Sequence, residues 1–237
     1  MKKLILVFVF ILFSLLGCAT TQVQTQTAAQ SIKPVSMVTI KRGEYNVNVE
    51  YPELIDSKSN PSAQGFNQAV MNSVNHEIAV FKTHVSGVDK QYGQNIKTDK
   101  AKTMQTENFL KMSYQVVYAG QKTIGIRFTM VSNTFASAHP LVYVSTLNYD
   151  LEKNKVLSLK DVLGKHTLND LAQYCKYSLA KTLSKGDIIE AAIVANTSAK
   201  WSNYRNWNLV DKGVLITFDR GTVAPWGQGE VEVMYPL

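Results

Sequence analysis

Apolar and polar residues alternate with period two in the segments that predict strands, and recur at three- and four-residue intervals in those that predict helices. Met37-Val38-Thr39-Ile40 and Tyr45-Asn46-Val47-Asn48-Val49-Glu50-Tyr51 flank Arg42-Gly43 and predict a strand pair, the second member ending at Pro52. After a Ser/Asn/Pro loop, Phe66, Ala69, Val70, Val74, Ile78 and Phe81 fall on one face of a helix of about four turns or more. Residues 84–105 are polar and turn-rich and predict a long loop. Phe109 to Tyr118, Thr123 to Ser132 and Leu141 to Tyr149 predict three further strands. The last continues into a hairpin whose tip holds Asn154, a residue type that tolerates left-handed backbone. Lys160 to Leu163 predicts one helical turn. Thr167 is placed to cap a helix from Leu168 to Leu183, and a second helix is expected from Asp187 to Ala199. Trp207–Val210, Val214–Phe218 and Glu230–Met234 predict the closing strands. Hairpins dominate over strand–helix–strand alternation, so the expected fold is α+β, an antiparallel sheet or sheets with helices packed on one face.

The first residues do not belong to that pattern. Met1-Lys2-Lys3 precedes an uncharged run from Leu4 to Leu16, which has the form of a secretory signal. The run is shorter than the roughly 20 residues that span a bilayer. Its end, Leu15-Leu16-Gly17-Cys18, resembles the bacterial lipobox, with Leu16 where a smaller residue is usual. That resemblance implies removal of residues 1–17, lipid attachment at Cys18 and a membrane as the partner of that lipid. The alternative is an uncleaved membrane anchor with an incidental cysteine. Ala19 implies the periplasmic face of the outer membrane if the cell is Gram-negative, and the outer face of the plasma membrane if it is Gram-positive. Residues 18–35, rich in Thr and Gln, read as a tether reaching about 20–25 Å. Residues 36–237 read as the folded domain, with division into two subdomains near residue 105 as an alternative to a single unit.

Composition narrows the partners. The net charge of +7 falls to +5 once Lys2 and Lys3 are lost, and the excess is diffuse. No run of basic and interleaved aromatic residues suggests nucleic acid, and export argues against it. With Cys18 lipidated, Cys175 is left without a disulfide partner. Leu168, Leu171, Cys175 and Leu179 share one helical face, so Cys175 reads as a core residue. No paired-cysteine metal motif can form, and His76-Glu77 lacks the second histidine a zinc-protease helix needs, since position 80 is Val80. No cofactor, metal site or catalytic constellation is predicted. The candidate binding residues are His139, Tyr149, Asp150 and Trp226. His139 sits in the small-residue kink Ala136-Ser137-Ala138-His139-Pro140, where it is either a positioned imidazole or a histidine bonding backbone at a bend. Asp150 alternates with Glu152 beside the hairpin tip, where solvated carboxylates are the ordinary reading. Tyr143, Tyr149, Tyr204, Trp207 and Trp226 are either sheet core or an exposed surface for glycan or protein.

Several segments also follow a family order. Ala136-Ser137-Ala138-His139-Pro140, Leu147-Asn148-Tyr149-Asp150-Leu151 and Lys155 to Leu163 precede Gly213-Val214-Leu215-Ile216-Thr217-Phe218 and Val223-Ala224-Pro225-Trp226-Gly227-Gln228-Gly229-Glu230. These segments resemble a domain of unknown function in the extracellular part of the lysozyme-sensing anti-sigma factor of the sigma-V system. The same domain precedes the catalytic domain of some peptidoglycan deacetylases. The resemblance spans most of residues 41–237. It departs where paired glycines become Ala136-Ser137, where a tip glycine becomes Asn154 and where Pro-Tyr becomes Pro225-Trp226. The anti-sigma module and the deacetylase module have no counterpart here, so those activities do not transfer. What the resemblance implies is a non-enzymatic envelope module that recognises a protein or cell-wall glycan, with a lysozyme-type muramidase as candidate ligand. A structural lipoprotein of an envelope complex is the next reading, and a hydrolase built on His139 the third.

Overall fold

A computed structural model describes residues 32–41, 44–55, 58–92, 108–135, 137–183 and 186–237. Cys18, the expected signal before it and residues 19–31 of the expected tether lie outside the described residues. Strand β1 (Ile32–Lys41) begins at Ile32 rather than Ser36, because it pairs along the whole of β2 (Tyr45–Leu54), from Lys41 opposite Tyr45 to Ile32 opposite Leu54. Lys33 meets Glu53 at 2.9 Å across that extension. Pro52 therefore lies inside β2 and does not end it. The other side of β2 is paired only over Asn46–Val49, so Pro52 sits where that side asks for no N–H.

Helix α1 (Pro61–Tyr92) is twice the expected length. Pro61 takes the first helical position, and Asn60 Oδ1 accepts from the N–H groups of Ser62 (3.0 Å) and Ala63 (3.3 Å). Val85 and Val88 continue the buried stripe of Phe66, Val70, Val74 and Phe81, which carries the helix through the first part of the expected loop. Residues 93–107 of that loop lie outside the described residues.

The strands β3 (Phe109–Ala119), β4 (Thr123–Asn133), β5 (Leu141–Asp150) and β6 (Lys155–Val156) complete a six-stranded sheet in sequence order. Every pair is antiparallel except β2 and β3, which α1 joins as a parallel crossover. The α+β class holds, with one strand–helix–strand unit inside it. The expected division near residue 105 lies outside the described residues. The described core falls into two clusters. One cluster packs α1 on the sheet through Val49, Leu110, Ile126, Phe128 and Tyr149, and a second starts at Leu159.

The second cluster joins α2 (Leu159–Leu163), α3 (Leu168–Thr182) and α4 (Asp187–Asn196) to a three-stranded antiparallel sheet of β7 (Trp207–Val210), β8 (Gly213–Phe218) and β9 (Val231–Pro236). Ser158 with Asp161 and Thr167 with Asp170 form capping boxes on α2 and α3. Asn154, at the β5–β6 tip, has φ 52°, the conformation that the hairpin demanded. Alternation fixes the layers. Ile124, Ile126 and Phe128 of β4 face α1, whereas Gly125 and Arg127 face the small sheet, whose other face carries α2–α4.

The two sheets meet through polar groups. Asn148 and Asn208 are both buried. Asn148 Nδ2 donates to Trp207 O (2.8 Å), and Leu209 N–H donates to Asn148 Oδ1 (2.9 Å). Asn208 Nδ2 donates to Ile126 O (3.1 Å), and Trp207 N–H donates to Thr146 Oγ1 (3.0 Å). Arg127 donates to Thr217 Oγ1 (3.0 Å) and is ion-paired with Glu232. A Cβ on Gly125 would stand 3.1 Å from Asn148 Oδ1 and 3.3 Å from Asn208 Nδ2, so glycine there lets the seam close. Asn148→Ala orphans the Leu209 N–H and the Trp207 C=O, and at about 1–3 kcal/mol each it is expected to cost about 2–6 kcal/mol. Urea unfolding of wild type and variant measures this as a fall in midpoint at unchanged slope.

Candidate functional site

Only two residues of β6 pair with β5, so the N-terminal part of β5 is a sheet edge. Beside it runs a groove of about 970 Å³. One wall is α1, with His76, Glu77, Val80 and His84; the other comes from the second unit, with Arg205, Asp219, Arg220 and Trp226. β5 from Leu141 to Leu147 forms the floor.

Glu77 is buried although charged, and Tyr143 OH donates to its Oε2 at 3.3 Å. Burial first, then the neighbouring Glu77 charge, pushes the Tyr143 hydroxyl well above its ordinary value, so it stays a neutral donor. On the opposite wall Asp219 gathers three donors. Val144 N–H donates to Oδ1 (3.1 Å), while Arg205 (2.8 Å) and Asn206 Nδ2 (3.2 Å) donate to Oδ2. Arg220 Nε donates to Glu230 (2.9 Å), and that hydrogen bond holds the Glu230 carboxyl below its ordinary value despite partial burial.

Trp226 is 40% exposed and comes from the turn Trp226–Gln228. Val223 and Ala224 are buried and pin the start of its loop, and Gly221 and Gly229 take positive φ at its two ends (75° and 80°). His139 is exposed, in the β4–β5 connection that the Thr134–Ser137 hydroxyl contact (2.9 Å) tightens. Its ring centre lies 5.6 Å from that of Trp226, and its Nδ1 is 3.2 Å from Pro140 O. Among the described residues no carboxylate hydrogen-bonds or ion-pairs with His139, the contact a hydrolase built on it requires.

The structure thus brings His139 and Trp226 together and places Tyr149 and Asp150 elsewhere. Tyr149 is buried edge-to-face on Phe66 (5.8 Å), and its hydroxyl donates to Asn154 Oδ1 (2.6 Å). Asp150 is also buried, at the hairpin tip, accepting from Lys153 N–H (2.8 Å) with the Lys153 ammonium at 3.5 Å. Tyr204 and Trp207 are core as well. Asp219, Arg205 and Arg220 carry no motif in the sequence; only their shared turn after β8 draws attention to two of them.

Residues 160–237 match the family described as "Protein of unknown function (DUF3298)". The match takes in the C-terminal part of the resemblance, including Trp226. No curated protein matches the chain. A solved member of the DUF3298 family from Bacteroides fragilis is 14% identical, with a TM-score of 0.56, covering 87% of this chain and 90% of that one. A DUF3298 family protein from Pseudomonas aeruginosa is 14% identical with a TM-score of 0.46, covering 86% and 89%. At that identity the first likeness establishes a shared fold. No described helix is long and apolar enough to cross a membrane.

Two titrations follow from these surroundings. Burial alone would raise the Asp150 carboxyl, but the Lys153 N–H and ammonium and the Glu152 N–H outweigh it and hold it below its ordinary 3.8. A depressed folded value stabilises the fold above the unfolded value, and that contribution is lost as pH falls through the folded one. Asp150→Asn is expected to flatten the loss of stability between about pH 4 and pH 2, read from urea midpoints across that range. Burial pushes the Cys175 thiol up to about 12. In a Cys18→Ser chain it is expected to resist a thiol reagent at pH 8 until denaturant is added, which a colorimetric thiol assay reads directly.

Proposed function

We propose that this protein is a non-enzymatic binding lipoprotein, held at the cell envelope through lipid on Cys18, with the groove beside β5 as its ligand surface. The observation that carries this reading is the groove itself. It is open to solvent, is walled by two separately cored units and has the exposed His139–Trp226 pair among its flanking aromatic groups. Concave sites with few placed polar groups and an exposed aromatic anchor are where binding energy concentrates. On this reading Cys18, Ala19 and the tether hold the domain close to the membrane, at the periplasmic face of the outer membrane in a Gram-negative cell.

The ligand is a protein or a cell-wall glycan, and the family resemblance makes a lysozyme-type muramidase the first to test. A basic muramidase approaching a chain of mature charge +5 is repelled at long range, so its association is expected to quicken as salt screens that field. Calorimetric and surface-binding titrations of the mature chain with lysozyme at low and high salt decide the matter, and no binding at either overturns the muramidase. Trp226→Ala is expected to weaken binding by about tenfold or more, as loss of an interface aromatic does, with the fold intact by circular dichroism.

A further inference from the structure

The floor of the groove specifies more than a concave surface. In an antiparallel strand, alternate residues turn N–H and C=O to the same side. Leu157 N–H donates to Asn148 O (2.8 Å), and Val144 N–H donates to Asp219 Oδ1 (3.1 Å), both on the side of β5 away from β4. Val142, Val144 and Thr146 therefore turn their backbone groups into the groove. Among the described residues the N–H groups of Val142 and Thr146 have no hydrogen-bond partner.

The line beside β5 already accepts a strand. β6 fills its beginning, pairing Val156 with Tyr149 and Lys155 with Asp150. The chain leaves that line at Leu157 because Ser158 caps α2. We infer that the groove takes an extended peptide of a partner protein, added to the edge of β5 on the line β6 opens, its carbonyls displacing Asp219 from Val144 N–H and accepting from Val142 and Thr146 on either side. This rests on the groove being the ligand surface. It narrows the ligand from protein or glycan to a polypeptide segment, because a row of backbone donors and acceptors at strand spacing is complementary to another backbone. Alternate side chains of the added strand face α1 at Val80 and His84 on one side and Arg220 and Trp226 on the other. Asp219 gives the edge selectivity. Unguarded edges pair indiscriminately, and a carboxylate that holds the middle N–H must be displaced before a strand can seat.

A library of random peptides displayed on phage, selected against the mature chain in detergent, supplies the probe. The expected result is that synthetic copies of enriched peptides slow amide hydrogen exchange at Val142 and Thr146. Val142→Pro removes one outward N–H without taking a bond from β4, and it is expected to weaken those peptides about tenfold or more. Should that variant fail to fold, exchange in the unaltered chain decides. No enriched peptide, exchange unchanged at both amides, or slowing by soluble wall glycan and by no peptide overturns the inference. The muramidase titration separates the two readings. Lysozyme bound with both amides unprotected overturns strand addition and leaves the binding module standing. Peptides that protect them while lysozyme fails to bind support strand addition and remove only the muramidase.

Discussion

Asn148 and Asn208 meet where solvent does not reach, and the arrangement of the two units follows from how they are satisfied. A buried amide left without partners costs more than most apolar contacts return, so the two sheets can dock in only those positions that answer these groups. Asn148 spans the gap with two bonds to β7 backbone, while Asn208 returns one to β4. Gly125 makes room for both. An apolar seam of the same area would tolerate sliding, whereas this one fixes register. Its satisfaction is incomplete: among the described residues Asn208 Oδ1 and Arg127 Nε lack partners. That is a cost carried by a seam that orients more than it stabilises.

Fixing the seam fixes the groove. Asn148 and Thr146 bond to the small sheet from the same strand whose outward edge lines the groove. The distance between α1 and the Arg205–Asp219 wall is thus set by bonds made on β5 itself. α1 is held from the other direction by its stripe against Val49, Leu110 and Phe128. One wall is bonded to β5 and the other packs on the sheet to which β5 belongs, so the floor cannot shift without breaking a buried hydrogen bond. This is the form of preorganisation a binding surface needs, since little ordering is left to be done when a ligand arrives.

How much of this can be read from residues alone depends on the range of the interaction. Thr167 capping α3 and the left-handed Asn154 are local matters of a side chain and its nearest backbone, and both are legible. The strands from β3 onward follow from alternation. The length of α1 is legible too once Val85 and Val88 are counted with the stripe, although polar neighbours disguise them as loop. The parallel pairing of β2 with β3 is not, because nothing in either strand's own pattern states which neighbour it will take. The site divides in the same way. Tyr149 and Asp150 look functional because aromatic and acid stand beside a turn, and the turn itself is what uses them. His139 and Trp226 lie far apart in sequence and are joined by the docking of the two units. Asp219, Arg205 and Arg220 gain meaning only from β5, an element that is not their neighbour in the chain.

Asp219 shows how one side chain can serve both the seam and the edge. Its Oδ2 is held by Arg205 and Asn206, the latter immediately before β7, and its Oδ1 reaches across to Val144 N–H. The carboxylate is thereby a strut between the units and a stop on the edge. Replacing the strut with backbone would give a continuous sheet and close the groove; removing it would leave the edge open to any strand. A charged side chain does neither. It bonds one N–H, leaves the positions on either side exposed, and keeps an ion pair with Arg205 at the wall. The polar seam and the half-open edge are therefore one design problem, the joining of two cored units without consuming the surface between them.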